Sequence, residues 1–154
     1  MKKIIIFGAY GTLFDVNAAA RNYSKKVDDP DFIKTWEKVS NLWRDKQIGY
    51  TWYYNSIGHR TNFWKITEDA LDYALDFYNL NKNNNLKNDL LELYKELDTF
   101  PEVLGVLKEL KSAGYPSAIL SNPVISPSVL TIERYSANLP RPALSLILIK
   151  GAEE

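Results

Sequence analysis

Four consecutive apolar residues, Ile4-Ile5-Ile6-Phe7, run without a break into Gly8-Ala9-Tyr10-Gly11-Thr12. An unalternating β-branched run of this kind suits a strand covered on both faces of a parallel sheet. Glycines at positions 8 and 11 then close it with a tight turn. A parallel partner strand requires a crossover, so it must lie well down the chain with helix in between. That requirement points to an α/β fold.

The following residues supply the crossover. Val16 to Leu97 is mostly helical by pattern. Asp29-Pro30 pairs a capping residue with proline at the first helical position. Phe32, Trp36, Val39 and Trp43 then recur at helical spacing as one apolar stripe. Thr67-Glu68-Asp69 is expected to open a second helix, its acidic first turn favoured by the dipole, with Ile66, Ala70, Tyr73 and Phe77 facing inward. An asparagine- and lysine-rich loop over 79–85 leads to a third helix marked by Leu86, Leu90, Tyr94 and Leu97. Phe100-Pro101-Glu102 begins another, carrying Val103, Val106, Leu107 and Leu110 and ended by Gly114. Pro116 to Leu120 is the expected second strand, emptying into Ser121-Asn122, and Leu144 to Ile149 reads as a third.

Composition removes several function classes. Apolar residues make up 45% and charged residues 25%, an ordinary globular balance. The formal net charge is zero, which gives no electrostatic basis for binding nucleic acid or an anionic membrane. There is no cysteine, hence no disulfide, thiolate nucleophile or thiolate zinc site, and His59 is the single histidine. Met1-Lys2-Lys3, the run to Phe14 and Ala18-Ala19-Ala20 imitate a secretory leader, but Gly8, Tyr10, Gly11, Thr12 and Asp15 spoil the apolar segment. No other apolar run approaches the ~18 residues of a membrane span, so a cytoplasmic protein is expected. The turn after the first strand is not GxGxxG, lacks the lysine-serine ending of a nucleotide-binding loop, and contains no basic residue to meet a phosphate.

Gly8-Ala9-Tyr10-Gly11-Thr12-Leu13-Phe14-Asp15 resembles the first motif of the L-2-haloacid dehalogenases, the type II branch of the haloacid dehalogenase superfamily, which read Asp-Ala-Tyr-Gly-Thr-Leu there. The similarity continues, in the family's order, at Leu42-Trp43-Arg44-Asp45-Lys46-Gln47, Tyr50-Thr51-Trp52, Phe63-Trp64, Thr67-Glu68-Asp69-Ala70-Leu71, Phe100-Pro101-Glu102-Val103 and Ile119-Leu120-Ser121-Asn122. It covers residues 1–122. The fold it implies is α/β, a Rossmann-like parallel core, incomplete here, over 1–15 and 98–154, with an inserted α-helical cap over 16–97. In that fold the first strand is central, so missing later strands would leave one of its edges bare.

The activity implied is hydrolytic release of halide from short 2-haloacids, without cofactor or metal. A carboxylate in the first motif attacks the halogen-bearing carbon, and water hydrolyses the ester; the group suits this task because it is ionised at neutral pH. By resemblance Thr12 hydrogen-bonds that carboxylate, Arg44 receives the departing halide, Ser121 and Asn122 bind the substrate carboxylate or halide, and Tyr10 and Phe63 wall the pocket. Each has a plainer alternative: Thr12 as turn closure, Arg44 as a solvated charge, Ser121-Asn122 as a strand-end turn, Tyr10 and Phe63 as core aromatics. Asp15 is expected to cap the helix after it, and His59 to lie on the cap surface. Tyrosine at position 10, where the superfamily's magnesium-dependent phosphatases carry a second aspartate, argues against phosphatase chemistry. The expected partner is a small 2-haloacid or related carboxylate, with neither nucleic acid nor membrane; the resemblance also allows a homodimer.

Two departures alter that expectation. Gly8 stands where the family has its nucleophile, so an inactive protein is expected. The family's later lysine-proline and serine-asparagine-acid motifs are also missing from 123–154, and Lys150, with no proline after it, does not take up the first of them. The change of composition after residue 122 suggests a shifted or truncated reading frame. The alternative functions are a non-catalytic protein that binds a small carboxylate or halide, or a pseudogene product.

Overall fold

The computed structural model describes residues 4–59, 61–121 and 144–148. It is an α/β structure with the element order β1 (Ile5–Gly8), α1 (Ala18–Ser24), α2 (Pro30–Ser56), α3 (Phe63–Phe77), α4 (Asn84–Lys95), α5 (Val103–Ser112), β2 (Ser117–Ser121) and β3 (Leu144–Leu148). The chain divides into two compact units, one comprising Met1–Asp15 and Leu97–Glu154, the other Val16–Glu96.

The first unit holds a parallel three-stranded sheet in the order β1-β2-β3. Ile5 pairs with Ser117 and Gly8 with Leu120, and Ser121 pairs with Leu148. The ends of β1 and β2 therefore reach the same border of the sheet. Ile4 and Ile6 are 61% and 56% exposed, which corrects the expectation of a strand covered on both faces. Burial alternates along β1 because α5, the described helix against the sheet, packs on β2. Its anchor is Val103; Val106, expected inward, is exposed. Ala118 and Ile119 are buried with Ala9, Leu13, Phe14 and Leu97. Gly114 ends α5 at φ +77°, where a β-carbon would be strained, and Tyr115 N–H closes on the Leu110 carbonyl at 2.9 Å.

The second unit is all-helical. Asp29 caps α2 by accepting from Phe32 N–H at 3.0 Å, with Pro30 at its first position, and Phe32, Val39 and Trp43 are buried along it. The aromatic rings tie the helices together: Tyr23 meets Phe32 edge-on at 5.2 Å, and Trp43 lies 4.9 Å from Tyr94. Leu86, Leu90 and Tyr94 bury the inner face of α4.

Three expectations are corrected here. α3 starts at Phe63 because Asn62, in an extended conformation, caps it by accepting from Lys65 N–H at 2.8 Å. Thr67, expected at the opening, is a buried interior residue. The inward stripe of α3 includes Ala70, Leu71, Ala74 and Leu75, while Tyr73 and Phe77 lie outside with their rings stacked at 6.3 Å. α1 begins after Asn17, so Asp15 is not its cap; Asp15 N–H instead donates to the Asp98 carbonyl at 2.9 Å.

The asymmetry of the sheet is measurable by urea unfolding. Ile119→Ala is expected to cost about 2–5 kcal/mol through the cavity it leaves in a fully buried site. Ile6→Thr, on the open face, should stay within about 0.5 kcal/mol of the parent.

Candidate functional site

In the sheet unit the site is one turn. The Ala9 carbonyl accepts from the N–H groups of Leu13 at 2.9 Å and Phe14 at 3.0 Å, and Thr12 N–H approaches it at 3.4 Å. Gly11 N–H returns to the Phe14 carbonyl at 2.8 Å, and φ at Gly11 is +82°, a conformation that excludes most side chains. This folding-back sets the Thr12 hydroxyl against the end of β1. A β-carbon built on Gly8 would meet Thr12 Oγ1 at 3.5 Å, ordinary van der Waals contact, and nothing nearer among the described residues. Gly8 lies outside the left-handed region, so neither backbone nor space requires a glycine here.

Tyr10 is half-buried, its ring 6.3 Å from that of Phe14. Ser121 closes β2 one residue beyond the level of Gly8, at the carboxyl end of the parallel strands, where α/β sheets place ligands. Asn122 lies outside the described residues.

In the helical unit Arg44 is anchored by a chain of polar groups. Arg44 Nη1 donates to Gln47 Oε1 at 2.6 Å. Gln47 Nε2 donates to Thr67 Oγ1 at 2.7 Å, and Thr67 donates its own hydroxyl to the Phe63 carbonyl at 2.8 Å. The Tyr94 hydroxyl lies 3.1 Å from the amide nitrogen and 3.3 Å from the amide oxygen of Gln47. Trp43 Nε1 adds a bond to the Thr67 carbonyl at 2.9 Å. Arg44 and Phe63, read separately from sequence, are thus ends of one hydrogen-bonded path. One turn along α2, burial pushes the Tyr50 phenol above its ordinary value, against the opposing pull of Lys46. His59 is exposed beside the Tyr54 ring.

The sequence reading missed Gln47, Thr67 and Tyr94 as site residues. A signal existed for the first: Gln47 continues the Val39–Trp43 spacing by one more step, placing an uncharged polar group on an apolar stripe. Among the described residues no three of His, Cys, Asp or Glu converge as a metal site requires, and no helix is long and apolar enough to cross a membrane.

Comparison with known proteins supplies the context. Over 117 residues the chain is 41% identical to (S)-2-haloacid dehalogenase 1 of Pseudomonas sp. strain CBS-3, covering 76% of this chain and 49% of that protein. It is 40% identical to (S)-2-haloacid dehalogenase 4A of Burkholderia cepacia over 117 residues, covering 76% and 48%. The solved L-2-haloacid dehalogenase from Xanthobacter autotrophicus with chloropropionic acid covalently bound aligns with a TM-score of 0.70 at 30% identity, covering 96% of this chain and 56% of that one. The chain spans about half the length of the curated relatives it matches. No family model matches it.

The turn makes a paired prediction for thermal unfolding. Gly8→Asp should fold with its midpoint unchanged or raised, since an unstrained replacement of glycine restricts the unfolded chain. Gly11→Ala, forced to positive φ, should lose about 1–3 kcal/mol.

Proposed function

The chain is a relative of the L-2-haloacid dehalogenases, and from that kinship we propose that it is a member of the group that no longer cleaves carbon–halogen bonds. The observation that carries this reading is Gly8. Displacement of halide through an ester needs an oxygen nucleophile at the end of β1, and glycine supplies no atom to attack with or to hold an acyl group. Thr12, whose hydroxyl borders the spot where a β-carbon would sit, has nothing there to orient. A neutral hydroxyl needs a base to become a nucleophile, and the single histidine lies on the exposed surface of the other unit. In this reading residues 16–97 correspond to the family's helical cap domain, and 1–15 with 98–154 to its Rossmann-like core.

A second reading has its own support. The guanidinium of Arg44 is fixed by a buried network rather than left to wander in solvent. A held cation of this kind suits a small anion, either halide or the carboxylate of a 2-haloacid. The protein then binds a short 2-halocarboxylate without consuming it, Arg44 contributing the charge.

Chloride release from (S)-2-chloropropionate tests the first reading and calorimetric titration tests the second. Loss of a covalent nucleophile costs on the order of 10⁴–10⁶ in rate, so chloride should appear no faster than in buffer. Binding heat that disappears in Arg44→Ala is expected from the second reading. An ester trapped on any residue of the unaltered chain, found as a mass increase, overturns the first. Gly8→Asp is expected to restore ester formation, because it brings a carboxylate to the end of β1 on a β-carbon that would sit 3.5 Å from the Thr12 hydroxyl.

A further inference from the structure

Arg44 reaches its position through a residue to which neither the comparisons nor the resemblance assigns a role. We infer that Gln47 is a positioning residue for Arg44, and that Thr67 sets the direction in which it acts.

Hydrogen-bond polarity leaves the amide one orientation. A guanidinium has only donors, so the atom of Gln47 that meets Arg44 Nη1 at 2.6 Å must be the amide oxygen. The amide nitrogen is then committed to the opposite side, where Thr67 Oγ1 stands at 2.7 Å. Thr67 accepts there because its hydroxyl proton is spent on the Phe63 carbonyl at 2.8 Å. From carbonyl to hydroxyl to amide to guanidinium, every donor faces an acceptor. Flipping the amide would set NH₂ against a guanidinium N–H and the oxygen against a hydroxyl already committed as donor. Gln47 and Thr67 are almost fully buried, so water cannot repair the mismatch between them.

The Phe63 carbonyl, acting through Thr67 of α3, therefore dictates how a side chain on α2 presents its oxygen. Tyr94 from α4 braces the same amide, touching both of its polar atoms. The amide orients the guanidinium without bringing a neutralising charge of its own, which a glutamate at position 47 would do. What the positioned cation holds rests on the anion-binding reading above; the positioning itself does not.

The guanidinium ¹⁵N–¹H spectrum of the full chain at low temperature reads the positioning directly. Arg44 should show a resolved, slowly rotating Nη1 signal, assigned by its loss in Arg44→Lys. Gln47→Leu and Thr67→Val, both close in volume to the residues they replace, should collapse that signal to a rotationally averaged one, whereas Thr67→Ser should keep it. An averaged Arg44 signal in the unaltered protein, or a resolved one persisting in Gln47→Leu or Thr67→Val, overturns the inference.

Titration with sodium (S)-2-chloropropionate extends the test. Thr67→Val should weaken binding about tenfold, the scale of one hydrogen bond, and should have no further effect in an Arg44→Lys background. Equal weakening in both backgrounds would mark a general packing role and overturn the inference. If the unaltered chain binds no anion while the Nη1 pattern holds across the variants, the anion-binding reading fails and the positioning role stands.

Discussion

The Gln47 amide is buried where three helices meet, and the polar interior of the helical unit is arranged around it. Burying an amide without partners costs several times what a hydrogen bond contributes, so the site is stable only when the neighbours comply together. They do: Thr67 from α3 and Tyr94 from α4 flank the amide, and Arg44 takes the remaining acceptor. Among the described residues no buried side-chain polar atom lacks a partner. Apolar packing by Phe32, Leu71, Leu86 and Leu90 supplies most of the cohesion but tolerates small rotations of one helix on another. Directional bonds do not, and they fix the register of α2 against α3 and α4.

The sheet unit obeys a different constraint, set by backbone rather than side chains. One carbonyl, that of Ala9, gathers the turn after β1, and Gly11 takes the left-handed conformation that lets the chain double back. Leu13 and Phe14 are thereby driven into the interior and Thr12 is left at the strand end. The geometry that would present a nucleophile is thus built by residues other than the nucleophile itself. This is why the turn can persist around a glycine.

Local features were legible in the sequence wherever a few neighbouring residues decide the outcome. Asp29-Pro30 starts α2, Gly114 stops α5, and the leucines of α4 face inward, because capping, proline geometry and helical spacing act over short distances. The errors arose where one local preference outbid another or where distant chain decided. Asn62 caps α3 ahead of Thr67, shifting the helix start by a turn. Tyr73 and Phe77 look like core residues by type, yet they stack on each other outside, with the Lys46 ammonium 3.8 Å from the Tyr73 ring. The turn from Gly8 to Phe14 was readable as a turn because neighbouring residues alone close it. The path from Arg44 to Phe63 was not, since it closes through Thr67, twenty residues beyond Gln47. A buried glutamine on an apolar stripe acquires meaning only once its partners are in place.

The ordinary backbone at Gly8 has an evolutionary consequence. Lost side chains often become unrecoverable, because neighbouring residues close over the vacated volume or the main chain relaxes into a shape only glycine accepts. Among the described residues neither applies at Gly8: the space beside it is bounded by the Thr12 hydroxyl at contact distance, and φ lies outside the left-handed region. Aspartate and glycine codons differ by a single base. An aspartate at this position therefore meets no steric barrier from the described residues of the turn.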